Sequence, residues 1–458
     1  MKDILFSTAT ALARAIREKQ VSASEVLEAH LTQIAKHNPA LNAIITLDVE
    51  GARMRAQAAD SALARGETWG QLHGVPLTLK DGHSVAGMRT TAGYEPLAGY
   101  IPPKDGTTAA RLRSAGAIIL GKTNVPELLG DFQSENPIFG RSNNPWNLER
   151  TPGGSSGGAC AAVAAGLVPL EIGSDAGGSI RIPAHFCGVY GLKPTEHRVS
   201  MAGHIPELPG SPRSWRILSV IGPLARDIDD LCLAFRIIAG ADGCDTDVPP
   251  VSLTQETPPP FQGLRIAWTP TFPGVPAADD ICHAIESLAT ELTHLGSRVE
   301  VRLPEVDFIQ QSALFVELFE YVLTVFQPQP EGTQPISLAN YFTALDRRDA
   351  FIFAWDHFFD DWDVLLCPVA MTTAFEHCPK DTPILVNGEQ VGYWEMLSYC
   401  TPFNLTGHPA IVLPLAQDRN NLPIGIQIVG RRWGDERLLA IAKTLSQLTR
   451  GYRRPPGY

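Results

Sequence analysis

Residues 153–195 read GGSSGGACAAVAAGLVPLEIGSDAGGSIRIPAHFCGVYGLKPT, and the alternation inside this stretch decides the class of fold. A glycine loop, Gly153-Gly154-Ser155-Ser156-Gly157-Gly158, opens a helix of small residues over 159–165 that Gly166 stops. A strand at 168–172 follows. It runs into a second glycine loop, Ser174-Asp175-Ala176-Gly177-Gly178-Ser179, before a helical turn at 180–183. Helices alternating with short apolar strands are the pattern of an α/β sheet. Glycine suits both loops because it takes positive φ without a Cβ clash and lets the backbone come close to a bound molecule.

Upstream, a strand is predicted at 75–79 and ends at Lys80-Asp81-Gly82, so Lys80 stands at the carboxyl end of a strand, where open α/β sheets assemble their sites. A helix at 107–114 and a strand at 117–120 continue the alternation. Downstream, a strand at 264–268, a helix at 279–295 closed by Gly296 and a strand at 299–301 form a βαβ unit. Strands at 411–415 and 424–429 around a polar turn at 417–421 predict an antiparallel hairpin, which makes the sheet mixed. Before the sheet come two amphipathic helices: one at 7–19, and one opened by the Ser22-x-x-Glu25 capping box and ending near Asn38-Pro39. A proline-rich stretch at about 246–262 reads as a surface connector. The expectation is an α/β fold in one large domain over 1–458, a twisted mixed sheet surrounded by helices with its core at about 70–200.

The chemistry follows from the loops. A serine hydroxyl is a poor nucleophile until a base takes its proton, and a lysine becomes such a base when burial strips it of charge. Lys80, Ser155 and Ser179 are separated by 75 and 24 residues. The arrangement allows a relay in which Ser179 attacks, Ser155 passes the proton on and Lys80 receives it. Ser156 shares the first turn and is the alternative bridging hydroxyl. The backbone N–H groups of Ala176, Gly177, Gly178 and Ser179 form a candidate oxyanion hole. Asp175 and Arg181 are read as holding the loop by charge-assisted hydrogen bonds. His83 and His185 lie near the loops without the acidic partner and spacing of a Ser/His/Asp triad.

The run from 153 to 195 resembles the signature block of the amidase signature family. GVPLTLKD at 74–81, NPWN at 144–147, and the downstream PFNLTGHPA and LPIGIQIVG segments resemble that family in the same order, so the likeness covers nearly the whole chain. The resemblance implies Ser179 as acyl-accepting nucleophile, Ser155 as the bridging serine after a cis peptide, Lys80 as general base, and no metal or organic cofactor. The function it implies is hydrolysis of a small uncharged or aromatic amide through an acyl-enzyme, with esters or carbamates as further substrates. The second reading is the glutaminase subunit of a tRNA-dependent amidotransferase; against it, residues 341–362 lack the Gly- and Tyr-rich helix run resembling that subunit's glutamine site. Candidate substrate contacts are Asp131, Gln133 and Gly154. Pocket walls are expected from 127–136, from the stretch 201–215 carrying His204, Pro206, Pro209, Pro212 and Trp215, read as a lid or rim or else a plain surface loop, and from the aromatic residues Phe308, Phe315, Phe319, Tyr321 and Phe326.

Composition narrows the class. A net charge of −12 repels phosphate backbones, which argues against nucleic acid as a partner. No apolar run approaches the roughly 18 residues of a membrane span, and no secretory signal is read at the N-terminus. The eight cysteines are scattered without CxxC pairs, so reduced thiols in the cytoplasm are expected. The histidines offer no zinc spacing. Residues 116–123 match the phosphate-loop pattern GxxxxGK[ST], but its interior Ala117-Ile118-Ile119-Leu120 is strand-forming, which excludes a phosphate cradle. A monomer or homodimer is expected.

Overall fold

The computed structural model describes residues 3–205, 208, 213, 215–325 and 335–458. The strands are β1 (Ile44–Leu47), β2 (Pro76–Lys80), β3 (Ile118–Thr123), β4 (Glu135–Asn136), β5 (Gly140–Arg141), β6 (Leu170–Asp175), β7 (Tyr190–Lys193), β8 (Val220–Ala225), β9 (Arg265–Trp268), β10 (Arg298–Val301), β11 (Val364–Pro368), β12 (Ile384–Val386), β13 (Glu389–Val391), β14 (Ala410–Gln417) and β15 (Pro423–Val429). Among the described residues eleven of these form one sheet in the order β1-β3-β2-β6-β8-β7-β14-β15-β11-β9-β10, with β4-β5 and β12-β13 as separate pairs. The sheet is mixed: β2 runs parallel to β3 and β6, while β6 pairs antiparallel with β8 and β14 with β15.

Helices cover it: α1 (Ala9–Arg17), α2 (Ala23–Leu41), α3 (Val49–Ala64), α4 (Thr107–Ser114), α5 (Gly157–Ala164), α6 (Arg181–Cys187), α7 (Ile228–Ile238), α8 (Asp279–His294), α9 (Phe308–Leu323), α10 (Leu338–Asp361), α11 (Thr401–Leu405) and α12 (Asp435–Leu445). One core of buried side chains runs through sheet and helices, and a smaller cluster of Trp215, Leu314, Phe315 and Leu318 sits along α9. The wholly buried α5 has only glycine, alanine, cysteine and valine. Small residues let it lie close: a Cβ on Gly158 would meet Asn124 N at 2.5 Å and Ala43 O at 2.7 Å.

The α/β class, the mixed sheet, the β9-α8-β10 unit and the β14-β15 hairpin agree with the sequence reading. Three boundaries differ. The strand expected at 168–172 continues to Asp175, because β8 pairs with it down to Asp175↔Val220, so Ser174 and Asp175 belong to the sheet edge of the loop. The second helix does not end at Pro39. A proline so near the C-terminus deletes a single backbone bond, and Asn42, in the left-handed conformation, closes the helix by donating its N–H to Asn38 O at 2.7 Å. The 117–120 strand extends through Lys122 and Thr123, so the Gly-Lys-Thr of the phosphate-loop pattern is sheet. Residues 251–260 have no regular structure and are largely exposed.

Candidate active site

Lys80 ends β2 with a side chain that is 0% exposed. Its Nζ donates to Ser155 Oγ at 2.7 Å, to Ser174 Oγ at 3.0 Å and to Ser174 O at 3.1 Å. Burial removes the water that would solvate an ammonium and pushes the lysine down to about 7, outweighing the opposing pull of Asp175, Cys160 and Glu171. The amine is therefore available in neutral form near neutral pH. Ser155 follows a cis peptide bond from Gly154. Ser156, the alternative bridging serine, turns elsewhere: its Oγ donates to Ser174 O at 3.2 Å and its N–H to Ser179 O at 3.1 Å.

The second loop is held by one carboxylate. Asp175 Oδ1 accepts from Gly178 N at 2.8 Å, Arg181 Nη2 at 2.9 Å and Asn404 Nδ2 at 2.9 Å, and Oδ2 accepts from Ile180 N and Arg181 Nε at 3.0 Å each. Both partners of this ion pair are fully buried. Burial alone would raise the carboxyl, but the Arg181 charge and these donors hold it well below the usual carboxylate range. Arg181 is held in turn by Cys400 O and Gln427 Oε1.

This geometry corrects the oxyanion donor set. The Gly178 N–H is spent on Asp175, whereas among the described residues Ala176, Gly177 and Ser179 N–H have no acceptor. Gly178 is required for another reason: its φ is +119°, and a Cβ there would meet Ile182 Cδ1 at 2.8 Å and Cys400 Cβ at 3.0 Å.

A cavity of about 420 Å³ opens onto Ser155, Ser174, Ala176 and Ser179. Its walls are Leu128, Leu129, His204, Trp215, Phe319, Leu323 and Trp394, with Glu127 and Lys380 exposed at the mouth. Trp215 packs edge-on against Phe319 with ring centroids 5.3 Å apart. Of the other aromatic candidates, Phe315 is buried, Phe308 packs at a tilt against Phe272, and Tyr321 donates to Glu317; Phe326, Pro206, Pro209 and Pro212 lie outside the described residues. Ser174, Lys380 and Trp394 were missed by the sequence reading. Ser174 stands inside the quoted loop and had a signal, whereas nothing in the spacing marks the other two.

The three candidate substrate contacts do not form the cavity wall. Gln133 donates to Cys378 O at 2.8 Å and Tyr393 Oη at 2.9 Å and accepts from Cys378 N, so both its amide hydrogens go to the protein, which corrects its assignment. Asp131 Oδ1 accepts from Tyr393 Oη and Phe132 N, both at 2.6 Å. Gly154 packs on this segment, its Cβ position 2.9 Å from Phe132 C. His185 accepts from Gly425 N and bonds Thr372 O, so it is structural. No group of three or more His, Cys, Asp or Glu among the described residues is placed to hold a metal ion, and no helix among them is long and apolar enough to cross a membrane.

Comparison with known proteins accounts for this arrangement. The Amidase family model matches residues 25–327 and 324–439. The chain belongs to the amidase family. Its amidase signature fold and catalytic class follow: it is a hydrolase acting on carbon–nitrogen bonds other than peptide bonds. Among the curated amidase relatives, a glutamyl-tRNA(Gln) amidotransferase subunit of Moorella thermoacetica is 34% identical, covering 99% of each chain. Among solved structures, a 6-aminohexanoate cyclic dimer hydrolase complexed with substrate is 29% identical (TM-score 0.83), and a bacterial aryl acylamidase is 26% identical (TM-score 0.85), each covering 99% of both chains.

Proposed function

We propose that this amidase hydrolyses a small uncharged or aromatic amide through an acyl-enzyme on Ser179, with esters or carbamates as further substrates. The observation that carries the reading is the buried Lys80 amine 2.7 Å from Ser155 Oγ, at the floor of a cavity that also reaches Ser179. Neutral Lys80 accepts the Ser155 proton as Ser155 takes that of Ser179, whose Oγ attacks the carbonyl carbon. Negative charge on the tetrahedral oxygen is met by the open N–H groups of Ala176, Gly177 and Ser179. The same relay returns the proton to the departing amine, and water then repeats the attack on the ester. Tryptophan, phenylalanine and leucine walls favour an apolar acyl or leaving group. The eight free cysteines fit a protein working in a reducing compartment such as the cytoplasm.

A second reading, the glutaminase subunit of a tRNA-dependent amidotransferase, draws on the 34% identity to such a protein. Against it, residues 341–362 lack the Gly- and Tyr-rich helix run resembling that subunit's glutamine site, whereas Glu127 and Lys380 at the cavity mouth are charges that a glutamine ammonium and carboxylate could meet. The experiment is a panel of aryl amides, alkyl amides, aryl carbamates, esters and glutamine, run on wild type and Ser179→Ala. Turnover of aryl or alkyl amides by wild type alone supports the first reading. Turnover of glutamine alone supports the second, and equal rates in the variant refute both.

A further inference from the structure

Two side chains that line the catalytic cavity carry polar atoms that the protein leaves unpaired. His204 and Trp215 bound the same cavity as Ser155, Ser174 and Ser179. His204 is 3% exposed and Trp215 6% exposed. Among the described residues, neither ring nitrogen of His204 has a hydrogen-bond partner, and neither has the Trp215 Nε1. The backbone around the histidine is pinned, with His204 N donating to Met201 O at 3.0 Å and Ile205 N to Gly82 O at 2.7 Å, so the open groups belong to the side chain. His83 lies edge-on to the His204 ring with centroids 4.8 Å apart, and its own Nε2 is unpaired. The Trp394 indole, in the same wall, is by contrast satisfied, donating to Asp381 Oδ1 at 2.8 Å. A buried donor or acceptor without a partner is costly, and a folded chain leaves few of them.

We propose that His204 and Trp215 are specificity-determining residues forming a polar subsite in a largely apolar wall, and that the preferred amide carries a second uncharged hydrogen-bonding group, a hydroxyl or a carboxamide, beside the bond that is cut. The inference rests on the small-amide reading above and narrows it. An indole offers one N–H donor, and a neutral imidazole one N–H and one lone pair. A hydroxyl or a carboxamide supplies the complement of both: an oxygen for the N–H groups and a hydrogen for the imidazole lone pair. The second side-chain torsion of histidine and tryptophan is broad, so a small turn of either ring points its nitrogen at a bound molecule.

The surroundings favour an uncharged group. Burial holds the imidazole neutral, and His83, Lys80 and Lys122 add to this by disfavouring a further positive charge beside them. A neutral ring brings no charge to offset the desolvation of a carboxylate or an ammonium. The cavity, at about 420 Å³, has the size of a small-molecule site. A substrate without the extra group leaves the nitrogens of both rings unpaired in the complex, which is how a site built for hydrogen bonding rejects an analogue that lacks the partner.

The test uses benzanilide, an amide with an aromatic ring on each side of the bond, and its derivatives carrying a hydroxyl or a carboxamide on either ring. The value of kcat/KM is measured for each with wild type, Trp215→Phe, His204→Phe and His204→Gln. In the wild type at least one derivative should be preferred over benzanilide by about tenfold or more. Trp215→Phe and His204→Phe should each cut that preference severalfold, and His204→Gln, which keeps a donor and an acceptor, should retain more of it than His204→Phe. The preference is a ratio between two substrates on one protein, so a general loss of activity from disturbed packing cancels. Phenylalanine at 215 keeps a ring to pack on Phe319, and that variant decides the matter if the changes at 204 prevent folding. Equal rates on benzanilide and every derivative in the wild type, or a preference that either folded phenylalanine variant leaves intact, overturn the subsite alone. If the wild type cleaves none of these amides, the small-amide reading falls and the subsite with it.

Discussion

Replacing Asp175 by asparagine removes the charge that holds the second glycine loop while changing the volume of the side chain very little. The loss has two parts. Arg181, 0% exposed, is left as a buried cation without its partner, and breaking one side of such a pair costs about 3–5 kcal/mol. The new amide also points donor hydrogens at groups that are donors themselves, because Oδ2 faces Ile180 N and Arg181 Nε and Oδ1 faces Gly178 N, Arg181 Nη2 and Asn404 Nδ2. For a chain of 458 residues, an unfolding entropy of about 2.1 cal/mol/K per residue makes 1 kcal/mol worth roughly one degree. The expected fall in Tm by differential scanning calorimetry is therefore about 3–5 °C at neutral pH. Since the Asp175 pKa is depressed in the folded protein, the stabilisation is complete above the ordinary aspartate range and is lost as pH falls through the folded value. The gap between wild type and variant should stay constant from about pH 5 upward and narrow only in strong acid. With Gly178 released, the neighbouring amides lose their setting, and kcat falls by about 10²–10³, as for loss of an oxyanion donor. A variant within one degree of wild type at neutral pH and with unchanged kcat would refute the claim that this carboxylate organises the loop.

Other consequences can be checked with single variants. For Lys80, kcat/KM should rise with pH through about 7, because burial lowers the lysine and the neutral amine is the active form; a profile flat from pH 5 to 9 contradicts a lysine base. Lys80→Ala should lower kcat by about 10²–10⁴ with the fold intact by circular dichroism. Ser174→Ala removes one acceptor that orients the amine, at 3.0 Å, and should cost about tenfold in kcat with KM unchanged, measured by steady-state kinetics. Gly158→Ala puts a Cβ 2.5 Å from Asn124 N and 2.7 Å from Ala43 O, both backbone atoms that cannot rotate away; a loss of about 1–3 kcal/mol in denaturant unfolding is expected.

What the sequence made legible was what short-range pattern encodes. The apolar run before Lys80 and the glycine loops on either side of α5 fix which atoms stand at strand ends, and strand order then carries Lys80 to within 2.7 Å of Ser155. What was not legible depends on side-chain reach across long separations. The Gly178 N–H reads as an open donor until the Asp175 carboxylate is seen to curl back three residues and take it. Gln133 reads as a polar group near the site until Cys378 and Tyr393, some 250 residues later, are found using its amide. Lys380, from the loop before β12, and Trp394, from the 3-10 turn Tyr393–Leu397 after β13, reach the cavity from a place that no periodicity announces.

The most direct test of the account is covalent labelling by a serine-directed fluorophosphonate, with the modified peptide located by mass spectrometry in wild type and in Lys80→Ala. A single adduct on Ser179 that forms in the wild type and slows by orders of magnitude without Lys80 is the predicted result. Labelling at another serine, or at an equal rate in the folded Lys80→Ala protein, would contradict it.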